Sequence, residues 1–159
     1  MLPMEKKILL AIDDSENARR AVEFVAIFFA PDNKITLFNV IPDTATLCAM
    51  NSPELAPYFT SQQSSFCLLE EKKKKLVNEA MQKAKRILLD AKFEEKNITI
   101  KSEIKKSGIA RDIIKEAKAG YNVVVMGKRG LSGIKDFILG SVSQKVFNTA
   151  KDISVLVVD

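Results

Sequence analysis

At 159 residues the chain is long enough for one domain with a buried core. Apolar residues make up 47% and charged residues 28%, an ordinary globular balance, and no apolar run approaches the span of a bilayer. Net charge is +5 and histidine is absent, which removes the commonest general base and the commonest transition-metal ligand together.

The N-terminal Met1-Leu-Pro-Met-Glu-Lys-Lys7 lacks the apolar core of a secretory signal, so a cytoplasmic location is expected. Lys7 to Asp13, built on Ile8-Leu-Leu-Ala-Ile12, reads as a strand buried on both faces. Ser15 offers an N-cap to a helix carried by Ala18, Ala21, Val22, Val25, Ala26 and Phe29, and Ala30-Pro-Asp-Asn33 stops it. Lys34 to Val40 is the second strand.

Residues 43–66, with Pro53, Pro57 and many Ser, Thr and Gln residues, read as a long irregular connection with room for a short helix near Ala56 to Ser61. Cys48 and Cys67 have neither metal-ligand spacing nor histidine company, so two free thiols in a reducing compartment are expected. Order returns with an amphipathic helix from Leu68 to about Phe93. Lys72 to Lys75 follow Glu70 and Glu71 at i,i+4 spacing, which predicts a solvated helix face. Nucleic-acid binding is not expected, because no aromatics interleave with the basic residues.

Ile98 to Ile104 alternates apolar and polar residues, as a strand near a sheet edge does. A helix over Gly108 to Ala119 ends at Gly120, and Asn122 to Gly127 is a fourth, wholly apolar strand. Gly140 or Ser141 opens the last helix, and Ile153 to Val158 closes the chain as a fifth strand. Strands alternating with helices predict a mainly parallel sheet covered on both faces, with the first and fourth strands central. If those two are neighbours, Asp13 and Gly127 face one crevice beyond the carboxyl ends of the strands.

The chemistry concentrates there. Asp13 and Asp14 end the first strand, where a carboxylate can accept ribose hydroxyls or approach a metal held by phosphates. A helix cap and a turn residue would look the same. After Met126, the stretch Gly127-Lys128-Arg129-Gly130 leads through a basic loop to Gly140-Ser141-Val142-Ser143. Glycines let main-chain amides approach an anion closely, and a helix start adds unpaired N–H groups. No G-x-x-x-x-G-K-[ST] occurs, and no G-x-G-x-x-G follows the first strand. Ser132, Ser141 and Ser143 have no histidine to activate them, so the usual hydrolase triad is excluded.

Ile8-Leu-Leu-Ala-Ile-Asp13-Asp-Ser15, Val123-Val-Val-Met126 and Gly127-x2-Gly130-x9-Gly140-Ser141 together resemble the ATP-binding branch of the universal stress protein family. The resemblance covers essentially the whole chain, 1–159, as a single domain with 43–66 as its variable segment. It implies an open five-stranded parallel sheet in order 3-2-1-4-5 with helices on both faces, Rossmann-like and similar to adenine nucleotide alpha hydrolase folds. It also implies that Ala11, Ile12 and Asp13 meet adenine and ribose, and that Val40 reaches the adenine edge through its backbone. Met126, Gly127, Lys128, Arg129 and Gly130 would hold ribose and phosphates, and Gly140, Ser141, Val142 and Ser143 would close over the phosphate tail. The expected ligand is ATP, ADP or AMP with Mg or Mn bridging the phosphates, Asp13 being the one candidate for direct contact with the metal.

A homodimer through Ile153 to Val158 is implied as well, since that apolar edge would otherwise be exposed. The expected role is a nucleotide-dependent regulatory switch in stress response, with an unidentified regulatory protein as a further partner. Hydrolysis is expected to be slow or partner-dependent, and no catalytic residue is assigned. A nucleotide-free protein acting through protein contacts is the alternative. Three positions depart from the usual pattern: Lys128 where a small residue is common, Ser154 where proline often precedes the last strand, and Asn39 where histidine often precedes Val40.

Overall fold

A computed structural model describes residues 5–44, 48, 56–129 and 139–159, and their side chains except those of 56–63. Among the described residues five strands form one sheet: β1 Lys7–Ala11, β2 Lys34–Ile41, β3 Ile98–Ile104, β4 Val123–Gly127 and β5 Ser154–Val158. Their order is β3-β2-β1-β4-β5 and every neighbouring pair is parallel. The helices are α1 Glu16–Phe28, α2 Ala56–Asp90, α3 Ile109–Ala117 and α4 Ser141–Thr149.

The apolar strands explain the layering. In β1, Ile8 and Leu10 point to a core shared with Ala21, Val22 and Val25 of α1 and Met81, Ala84 and Leu88 of α2. Leu9 points to the other face, where Ala110, Ile113 and Ile114 of α3 and Val146 of α4 pack. Side chains alternate even where polarity does not, so a continuous apolar run marks a strand covered twice. Ile8, Leu9 and Leu10 are fully inaccessible, each burial contributing roughly 1.5–3 kcal/mol. The sheet is therefore the open 3-2-1-4-5 arrangement expected, with β3 on one edge, and β1 and β4 are paired through Ile8–Val123 and Leu10–Val125.

Ser15 caps α1, its hydroxyl oxygen accepting the Ala18 N–H at 3.1 Å. Over the other face, α3 is tied to β3 by Lys101–Glu116 at 2.7 Å; the Tyr121 hydroxyl donates to Glu116 and accepts from Thr36, both at 3.0 Å. Gly108, at φ 131°, precedes α3 in a conformation that side chains rarely adopt. The adjoining turn is held by Asp112, whose carboxylate accepts the backbone N–H of Lys106 at 2.8 Å and of Ser107 at 3.1 Å.

Two expectations are corrected. The helix expected from Leu68 begins at Ala56, so the latter half of the segment read as irregular is helical. Pro57 is compatible with this because it lies in the first turn, where its missing N–H is not required. The cysteines are not free: Cys48 and Cys67 form a disulfide across 19 residues, with Cα atoms 5.8 Å apart. The helical start carries Cys67 to a place where Cys48 returns beside it, a tertiary fact that spacing does not encode. Lys72 to Lys75 are exposed, as expected for a solvated face, but the ion pair formed is Glu70–Lys73 at i,i+3 rather than i,i+4.

Reducing the disulfide, or replacing Cys67→Ser, is expected to lower unfolding stability by about 3 kcal/mol through loop entropy, read by urea denaturation with and without a thiol reductant. Unchanged midpoints would show that the cross-link does not constrain the unfolded chain.

The Lys106 N–H foremost, with those of Ser107 and Gly108, holds the Asp112 carboxyl below the usual carboxylate range despite its burial. A depressed carboxylate stabilises the fold above its unfolded value of about 3.9, and this contribution is lost as pH falls through the folded value. Asp112→Asn should therefore cost about 1–3 kcal/mol near neutral pH. The gap to the unaltered protein should narrow in acid, below about pH 4. A pH-independent gap would contradict the assignment.

Candidate functional site

The carboxyl ends of β1, β2 and β4 open into a cavity of about 330 Å³, within the range of small-molecule sites. Its floor and walls come from Ala11 at the end of β1 and Ile12 and Asp13 after it, from Phe38, Asn39 and Val40 of β2, and from Met126 and Gly127 of β4. Arg129 and the start of α4, Gly140 to Ser143, form the facing rim, and Ile109 and Ile113 of α3 close one side.

The parallel ladder dictates how β1 leaves the sheet. The Ile12 N–H still donates to Phe38 O at 2.8 Å, and Asn39 Nδ2 donates to Ile12 O at 2.7 Å. Asn39 is itself buried, so this amide clamps the chain one residue beyond the strand. Asp13 follows, with Oδ1 accepting the Ser15 N–H at 2.9 Å. It is therefore both the turn residue and a carboxylate at the crevice.

At Gly127 the demand for glycine comes from packing. A Cβ there would lie 2.7 Å from the Asn17 carbonyl carbon in the first turn of α1. Glycine is required by close strand-to-helix approach, and Gly127 is not among the positive-φ residues.

Lys128 departs most from expectation. Its side chain does not line the crevice but turns to Asp159, Nζ lying 3.3 Å from Oδ2. Its backbone joins three elements: N–H donates to Val158 O at 2.7 Å, and C=O accepts from Gly140 N at 2.8 Å and from Ser143 Oγ at 2.7 Å. Ser143 Oγ is also 3.0 Å from Gly140 O, so its single proton is committed to backbone carbonyls. Ser143 consequently positions the loop end through its hydroxyl.

The first turn of α4 keeps its donors. Gly140 supplies no capping side chain, and the Gln144 N–H is the first to close onto Gly140 O. The N–H groups of Ser141, Val142 and Ser143 therefore lack intrahelical partners, and all three residues line the crevice. Together with Arg129 they bring positive charge to the crevice that Asp13 also lines. Such a cavity can hold a molecule with an apolar, hydroxyl-bearing part and an anionic tail.

Of the residues expected at the site, Ala11, Ile12, Asp13, Val40, Met126, Gly127, Arg129, Gly140, Ser141, Val142 and Ser143 converge on this crevice. Gly130 lies outside the described residues. Ser15, Ala18, Phe38, Asn39, Ile109 and Ile113 line it without having been assigned to it. Phe38 could have been found from its two-residue spacing to Val40; Ile109, Ile113 and the Asn39 clamp had no such signal.

Residues 4–159 match the Universal stress protein family. A universal stress protein of Mycolicibacterium smegmatis is 27% identical over 154 residues, 96% of this chain and 48% of that protein, so the chain spans about half the length of that relative. Universal stress protein YxiE of Bacillus subtilis is 29% identical over 147 residues, 90% of this chain and 92% of YxiE. Among solved structures, the hypothetical protein MJ0577 aligns with a TM-score of 0.64 at 28% identity, covering 98% of this chain and 96% of that one. A universal stress protein in complex with cAMP has the same fold, with a TM-score of 0.62 at 17% identity over 97% and 96% of the two chains. The chain belongs to the universal stress protein family.

Proposed function

We propose that this chain is an ATP-binding regulatory module whose response to stress depends on nucleotide occupancy. The observation that carries the reading is that the uncapped amides of Ser141, Val142 and Ser143, Arg129 and Asp13 line one crevice. Phosphates would take the amides and Arg129, ribose hydroxyls would donate to the Asp13 carboxylate, and the base would lie against Ala11, Phe38 and Val40. A universal stress protein of the same fold in complex with cAMP supports the choice of an adenine nucleotide.

Among the described residues no group of three or more His, Cys, Asp or Glu is arranged to hold a metal ion. A divalent ion would be carried by the phosphates, with Asp13 as the carboxylate lining the crevice. Bound there, it would supply charge neutralisation to the phosphate chain. Asp13 is also the lone carboxylate lining the crevice among the described residues, and the chain has no histidine. Hydrolysis, where it occurs, would be slow or completed by a partner.

The reading is tested with Ser141→Asp. Ser141 is exposed, and an acidic residue in the first turn of a helix is stabilising. The substitution should preserve the melting temperature while lowering ATP affinity on the order of tenfold, the scale of one lost charge-assisted contact. Adenine nucleotide released on denaturing the purified protein should disappear with the same change. No nucleotide in either protein, and no affinity for added ATP, would favour action through protein contacts alone.

The reading includes a homodimer through the free edge of β5. Val155→Lys should shift sedimentation equilibrium from dimer to monomer, with far-UV circular dichroism retained. A monomeric unaltered protein would remove this interface.

A further inference from the structure

The two cations following β4 are adjacent in sequence but do not face the same way. Arg129 lines the crevice, whereas Lys128 does not. Both nevertheless reach one carboxylate: Lys128 Nζ is 3.3 Å from Asp159 Oδ2, and an Arg129 terminal nitrogen is 3.7 Å from Oδ1. The strand pairing delivers this acid to the rim. Val158 pairs with Gly127 and its carbonyl accepts the Lys128 N–H, so the next residue along β5 must lie beside the start of the basic loop.

We propose that Asp159 is a specificity-determining residue, a resident anion that competes with the ligand's phosphates for Arg129 and thereby sets how strongly the crevice favours longer phosphate chains. The proposal rests on the nucleotide reading above. A phosphate reaching Arg129 meets a guanidinium already partly offset by Asp159, and repulsion between Asp159 and the ligand grows with the ligand's charge. Lys128, which stays with Asp159 outside the crevice, limits that repulsion without contacting the ligand. The Asp159 side chain is 63% exposed, so water and salt weaken the competition to a graded bias.

The experiment is calorimetric titration of the unaltered protein and Asp159→Asn with AMP, ADP and ATP at low and high salt. Asp159→Asn should raise ATP affinity roughly two- to fivefold, the range of an exposed ion pair. AMP affinity should change less, and the difference should shrink in high salt. Asp159→Glu should keep the unaltered ranking. An equal change for all three nucleotides, or none, overturns the role of Asp159 while leaving the nucleotide reading standing. Failure of the unaltered protein to bind any of the three overturns that reading and this inference with it.

Discussion

The crevice depends on the absence of one carbon atom. With a side chain at Gly127, Cβ would lie 2.7–2.9 Å from the Asn17 backbone, and either β4 or α1 would have to withdraw. Because glycine is there, the first turn of α1 sits directly over the end of β4, beside the point where β1 leaves the sheet. Asp13, Ser15 and Arg129 are thereby brought around one opening. Flexibility at Gly127 is secondary: among the described residues the glycines with positive φ are Gly108 and Gly120, not Gly127.

Around that contact, backbone and side chains divide the work. Lys128 is a backbone junction among β4, β5 and α4, and Ser143 spends its hydroxyl on the junction. Asn39 does the equivalent on the opposite wall by gripping Ile12 O. These three polar residues build the frame, leaving Asp13, Arg129 and the start of α4 to line the crevice. A basic residue in a phosphate-like motif can thus be architectural through its main chain while its charge points elsewhere.

This explains what the sequence disclosed. β1 and β4 were legible because burial on both faces needs apolar residues at every position, and Ile98-Thr-Ile-Lys-Ser-Glu-Ile104 betrayed an edge by alternating. The Gly127 to Ser141 spacing located the site because it constrains the main chain, and main-chain constraints leave marks in residue type. The separate orientations of Lys128 and Arg129 were not legible, since they follow from where β5 ends. The start of α2 was hidden by the Ser, Thr and Gln residues around Cys67, and the Cys48–Cys67 bond by its dependence on tertiary proximity.

The length of α2 changes what the disulfide does. Its 35 residues extend about 52 Å, whereas the strands span roughly 17–27 Å. Among the described residues, the apolar packing of α2 on the sheet runs from Val77 onward, and the bond from Cys67 to Cys48 lies ahead of that stretch. The rod is thus fastened covalently upstream of the part that the apolar core holds.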